Sequence, residues 1–278
     1  MIRFMRAVRQ KQWLQGKTLS YILYAIGEIF LIVVGILIAV SIGNWNSNRI
    51  EENLRTEYLE RLTENIEADS KAYEASKAHA EMRIGFLSLL IEIAKNPQQA
   101  LVKPVEFMVA VRQSGYFVHP TVSKDTFEEL KSTGHLRLVD NDLKELIFGY
   151  YTSSDRLGQK KDVSKAVATS FFDAASGVLS YDQDAWAHKA AGRVKPANLT
   201  VTNPSTSAVT DLELLSHPFD AKDLLSAAER LSENDRLLSY LSNVRHEQQE
   251  ILRANDVLQS YSSRILKLIS EVKKRPRL

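Results

Sequence analysis

The chain contains no cysteine in 278 residues. That excludes disulfides, thiolate metal sites and a cysteine nucleophile. Glycine and proline are scarce, at 11 and 7 residues. A strand-rich sandwich or barrel needs many tight turns, and a dinucleotide-binding fold needs glycine loops, so both are disfavoured. No proline occurs before Pro97, so the residue that breaks helices most sharply is missing from the first third of the chain. Catalytic signatures are missing too: there is no G-x-S-x-G, no P-loop and no G-x-G-x-x-G. The six histidines, His79, His119, His135, His188, His217 and His246, form no H-E-x-x-H pair. Acid pairs such as Glu128-Glu129 read as solvated helix surface.

What remains is 44% hydrophobic and 25% charged, the composition of a folding chain. The formal net charge of +2 is unevenly placed. Residues 1–20 hold Arg3, Arg6, Arg9, Lys11 and Lys17 with no acid, and the apolar run that follows holds only Glu28. The remaining chain is close to neutral, so a nucleic-acid partner is not expected.

Residues 21–43 read YILYAIGEIFLIVVGILIAVSIG, with one charge. As a helix this run spans ~34 Å, enough for a ~30 Å hydrocarbon core. Trp13, Tyr21 and Tyr24 flank one end and Trp45 the other, as in an aromatic belt. The positive-inside rule puts residues 1–20 in the cytoplasm as a basic arm, and residues 44–278 beyond the inner membrane, in the periplasm. Ala39-Val40-Ser41 offers the small residues of a signal-peptidase site. The long basic region and the long apolar run favour an uncleaved anchor.

Gly35, Ala39 and Gly43 follow one another at four-residue steps, a spacing that lets helix backbones approach closely. Glu28 shares their face, about 20° away at 100° per residue. It is compatible with a helix–helix contact, with a shallow position reaching headgroup water, or with a proton or ion path.

The run Y-A-I-G-E-I (24–29), then L-I-V-V-G-I-L-I-A (31–39) and N-W-N (44–46), resembles the N-terminal signature of an uncharacterised bacterial family. Its members are small single-pass membrane proteins with a domain of unknown function, common in Gram-negative marine bacteria. The block T-F-E-E-L-K-S-T-G-H-L (126–136), with Tyr150-Tyr151, is similar to that family's central motif. The chain departs from the pattern at Ser41, Gly43, Phe127 and His135. The resemblance implies location and architecture and no activity.

Beyond the anchor the periodicity is helical. Ile50, Leu54, Tyr58, Leu62, Ile66, Tyr73, Ala80, Ile84, Leu87 and Ile91 recur at steps of three and four, predicting a long helix over 46–95 that ends before Pro97. Leu237, Leu241, Val244, Ile251, Leu258, Ile265, Ile269 and Val272 mark a second long helix over 233–273, the last of the C-terminal helices expected within 211–273. Gln248, Asn255 and Ser262 lie on its seam at seven-residue steps. They either fix register or are closed over by Leu252, Tyr261 and Leu266 in a broad stripe. Shorter helices are expected across 104–193: one from Pro104 to Ser114, one capped by Ser123, one capped by Asp140, and weaker ones over 163–179 and 182–193. Residues 197–209, rich in Asn, Ser and Thr, read as a loop, and Asp220 as the cap of a further helix.

These features predict an all-α fold: a single N-terminal transmembrane helix continuing into an elongated helical bundle. The bundle is an antiparallel hairpin of long helices, with short helices at its distal end. If the hairpin returns to the bilayer, Asn48–Leu54 lies near Leu268–Lys274, position 54 is level with 265, and Lys273, Lys274, Arg275 and Arg277 meet anionic headgroups. No catalytic, cofactor or metal residues are expected. The expected partners are the lipid bilayer and a protein partner or second copy, met through the transmembrane helix. The expected function is a non-enzymatic scaffold, or a sensor or accessory subunit, in the periplasm. The alternative is an anchored ligand-binding protein or enzyme, with a site at Phe127, Glu128, Glu129, Gly134, His135, Tyr150 and Tyr151.

Overall fold

A computed structural model describes residues 18–193, 212 and 215–274, and the described elements are all helical, without strands. The basic arm with Trp13, the loop over 197–209, and Arg275 and Arg277 lie outside the described residues, as do the side chains of residues 18–21. The chain divides into two units, Met1–Tyr58 and Leu59–Leu278.

Helix α1, Thr18–Lys95, is 78 residues long. Without an interior proline no backbone hydrogen bond along it is forfeited. It stops where Asn96 precedes Pro97, because a residue before proline avoids the α region. Within the first unit the helix is long and apolar enough to cross a membrane, and no residue of its apolar window is buried.

In the second unit the elements after α1 are α2 (Gln99–Val102), α3 (Pro104–Gln113), α4 (Asp125–Ser132), a 3₁₀ turn (His135–Leu138), α5 (Asn141–Gln159), α6 (Lys161–Ala175), α7 (Tyr181–Ala191), α8 (Ala221–Ser232) and α9 (Asp235–Lys274). From Leu62 onward α1 buries Leu62, Ile66, Asp69, Tyr73, Ser76, Ala80, Arg83, Leu87 and Leu90. These residues alternate steps of four and three, the seam spacing of paired helices. Helix α9 does the same with Leu237, Leu241, Val244, Gln248, Ile251, Asn255, Leu258, Ser262, Ile265, Ile269 and Val272.

The two seams run antiparallel. Asn255 Nδ2 donates to Ser76 Oγ at 2.8 Å, Lys77 pairs with Asp256, and Arg245 Nη2 donates to Ser88 Oγ at 2.9 Å. Counting outward from the Ser76–Asn255 bond brings Ile265 level with Ile66. The expected pairing of 265 with 54 is therefore corrected by three helical turns; apolar periodicity alone fits several registers, and the polar contacts select this one. The same count sets Asp69 opposite Ser262 and Arg83 opposite Gln248. Polar residues on one helix thus lie level with polar residues on the other at three places, and at one of them, Ser76 with Asn255, they are hydrogen-bonded across the seam.

The shorter helices cover the end where α1 stops and also the flank of the long pair. Helices α5 and α6 pack on α9, and α3 on α7. Gly149 of α5 permits this approach: a Cβ there would lie 2.8 Å from the Tyr261 ring. A box between Ser180 and Gln183 caps α7, and Gln183 Nε2 reaches Asp223 O of α8 at 3.1 Å. Asp220 caps α8 through Asp223 N at 2.8 Å. Ser123 does not cap α4, contrary to expectation. Lys124 is the residue before that helix, and the Ser123 N–H is held by Asp69 Oδ1 at 3.1 Å.

Candidate functional site

The block 126–151 gathers three of its seven candidate residues into one aromatic cluster. The rings of Phe127 (α4) and Tyr151 (α5) stack at 4.4 Å and 10°, and Tyr150 meets Tyr151 edge-on at 5.0 Å. Phe148 closes edge-on against Phe127 at 5.2 Å, and Lys131 Nζ lies 5.1 Å over the same ring. Phe127, Tyr150 and Tyr151 are all buried. The acids of the block leave the cluster: Glu128 pairs with Lys131 at 3.0 Å, and Glu129 with Arg61 of α1. Gly134 takes a left-handed conformation at φ 73°, which a side chain rarely adopts, and so ends α4. His135 follows as the first residue of the 3₁₀ turn, half-buried.

Beneath the stack is a hydrogen-bonded chain that the sequence pattern did not single out. Tyr150 Oη donates to Asp69 Oδ2 at 2.6 Å, so Tyr73 Oη donates to Tyr150 Oη at 2.5 Å. With the Ser123 N–H on the other oxygen, the Asp69 carboxylate ties α1, α5 and the segment entering α4 together. Burial pushes the Asp69 carboxyl above its ordinary value, although the bonds from Tyr150 and Ser123 pull it down. The Tyr73, Tyr150 and Tyr151 phenols are likewise pushed up, by burial first. A carboxylate joined to two phenols could relay a proton. Here all three groups are buried, and the arrangement joins three chain segments.

The other two polar levels hold the segment between α3 and α4. Ser76 Oγ donates to Val118 O at 2.7 Å, and Gln248 Nε2 donates to Tyr116 O at 2.7 Å. Stray backbone carbonyls beside an apolar seam need such donors, which is the physical reason polar side chains sit at seam positions. The level of Arg83 is less complete. Arg83 is 5% exposed, its Nε and Nη1 have no hydrogen-bond partner, and burial draws its pKa down to about 10. One turn before it, His79 has an unpartnered buried Nδ1, and its pKa is lowered by burial and then by Arg83.

His119, Ser164 and Glu247 also meet: His119 Nε2 lies 3.0 Å from Ser164 Oγ, which donates to Glu247 Oε1 at 2.7 Å. The residue types match a hydrolytic triad, but the order does not. The carboxylate must hold the second ring nitrogen of the histidine, whereas here it holds the serine, and His119 Nδ1 has no partner. Ser164 is 2% exposed, so this cluster fastens α6 to α9. Among the described residues, no three His, Asp or Glu side chains converge to hold a metal ion.

In the first unit Gly35, Ala39 and Gly43 are exposed, and nothing lies within 4 Å of a Cβ built at either glycine. Glu28 on the same helix is half-buried. Tyr24 and Trp45 are exposed, with the Arg49 guanidinium 6.0 Å over the Trp45 ring. Lys273 and Lys274 are exposed in the last turn of α9. No protein-family model matches the chain, and no curated protein or solved structure matches it significantly.

The missed residues differ in how they could have been found. Asp69, Ser76 and Arg83 fall at seven-residue steps on the apolar stripe of α1, the same signal that exposed Gln248, Asn255 and Ser262. Nothing local marks Ser164 or Glu247, which meet only through the packing of α6 on α9.

Proposed function

We propose that this protein is a membrane-anchored, non-enzymatic helical scaffold, or a sensor or accessory subunit, that acts through protein partners. In this reading residues 1–20 lie on the cytoplasmic face of a bacterial inner membrane, residues 21–43 cross it, and the remainder is periplasmic. The observation that carries the reading is the apolar run from Ile22 to Ile42, most of whose large side chains are exposed to the surroundings, whereas the same helix buries its apolar side chains from Leu62 onward. Such a surface needs lipid or another protein to cover it. The open face of Gly35, Ala39 and Gly43 favours a close helix partner there, with Glu28 on the same side.

The alternative, an enzyme or ligand-binding site around Thr126–Tyr151, has less support. Phe127, Tyr150 and Tyr151 pack on one another, where a site would need polar groups converging on an open cleft. Co-purification of crosslinked partners from membranes tests the proposal. Gly35→Ile lowers recovery of a partner or second copy, whereas Val34→Ile, on another face, leaves it unchanged. Equal recovery from the two variants contradicts the role of this face.

A further inference from the structure

A cleft of about 260 Å³ opens where α3, α6 and α7 meet, away from the aromatic cluster. Val111, Phe172 and Leu179 form the smaller, apolar part of its wall, and Arg112, Tyr181 and Asp184 lie on its larger, polar part. It is smaller than the cavities that hold drug-sized ligands, so it suits one small molecule. The charges on the rim are incompletely matched. Arg112 Nη1 stands 3.7 Å from Asp184 Oδ1, well beyond the ~2.8 Å of a good charge-assisted bond. Arg112 Nη2 donates to His188 Nδ1 at 3.3 Å, and its Nε is buried without a partner.

We propose that this cleft binds a small zwitterion of the aliphatic α-amino acid class. The carboxylate lies on Arg112, the ammonium on Asp184, and the side chain against Val111, Phe172 and Leu179. The choice of class follows from the two charges. A bare anion on Arg112 is opposed by Asp184, and a metal or amine on Asp184 is opposed by Arg112. A molecule carrying both charges is matched by both residues, and its aliphatic part by the wall.

The test is isothermal titration calorimetry on the full chain in detergent micelles. The probes are L-leucine, 4-methylpentanoate (leucine without its amine) and 3-methylbutylamine (leucine without its carboxylate). Leucine binds saturably, and each one-charge analogue binds at least tenfold more weakly. Arg112→Gln weakens leucine at least tenfold. Asp184→Asn narrows the gap between leucine and 4-methylpentanoate. Far-UV circular dichroism checks the helicity of both variants, and if Arg112→Gln loses helix the Asp184→Asn comparison decides. The proposal is overturned if leucine does not saturate the protein by ~10 mM, if the analogues bind as well as leucine, or if folded variants bind leucine as the wild type does.

Discussion

Asn255 and Ser76 lie on the two longest helices and are joined by a hydrogen bond of 2.8 Å. The Ser76 hydroxyl in turn donates to Val118 O, so the pair fixes the register of α9 against α1 and also holds the segment leading to α4. An apolar seam can slide by one heptad at little cost, whereas a polar level left opposite leucine or isoleucine would strand buried donors and acceptors.

Replacing Asn255 by Ala removes its bond to Ser76 together with a buried Oδ1 that has no partner, and is expected to lower stability by ~0.5–1.5 kcal/mol. Urea unfolding of Asn255→Ala, Ser76→Ala and the double variant gives the coupling between them. A coupling of ~0.5–1.5 kcal/mol is expected, and strict additivity would mean that the bond does not contribute.

The tyrosine pair at 150 and 151 separates a satisfied phenol from an unsatisfied one. Tyr150 Oη bonds to Asp69, whereas Tyr151 Oη is buried without a partner. Tyr150→Phe therefore costs ~1–3 kcal/mol, and Tyr151→Phe is neutral or stabilising. Thermal unfolding of the two variants reads the difference, and equal losses would contradict the geometry.

Arg83 is a buried cation with two unpartnered nitrogens. Arg83→Met keeps much of the volume and removes the charge, so stability should rise by ~1 kcal/mol or more. A drop in melting temperature would show that the guanidinium has a counter-charge.

Acidification acts through the histidines. His79 and His119 are both lowered below 6.5, chiefly by burial. The unfolded chain binds their protons first, so the stability they contribute is complete above about 6.5 and is lost as pH falls through their folded values. Asp69 has the opposite sign: its carboxyl is raised above 3.8, so its effect favours folding as pH falls through that raised value. Between pH 7.5 and 5.5 the melting temperature should decline, and the decline should flatten in the His79→Gln, His119→Gln double variant. An unchanged slope would place the titration elsewhere.

Much of this architecture is legible in the residues. The proline-free run up to Asn96 and the three-and-four spacing from Leu62 to Leu90 announce α1. The seam from Leu237 to Val272 announces α9, and Asp220 caps α8 as its position suggests. Register was not legible, because Asp69, Ser76 and Arg83 occupy equivalent seam positions of α1 and the spacing does not say which of them faces Asn255. The Ser123 assignment failed for a related reason. A serine before a helix reads as a cap, but the Asp69 carboxylate, 54 residues earlier, takes its backbone N–H. The aromatic block was visible as a motif. That it fills core became clear only from the 4.4 Å stack of Phe127 on Tyr151.

The claim that matters most is that one helix anchors the protein and that residues 44–278 are exported. Alkaline phosphatase and a fluorescent protein that matures only in the cytoplasm, each fused after the last residue and expressed in a Gram-negative host, test it directly. The account predicts an active phosphatase and a dark fluorescent fusion. A bright fluorescent fusion with an inactive phosphatase would contradict it.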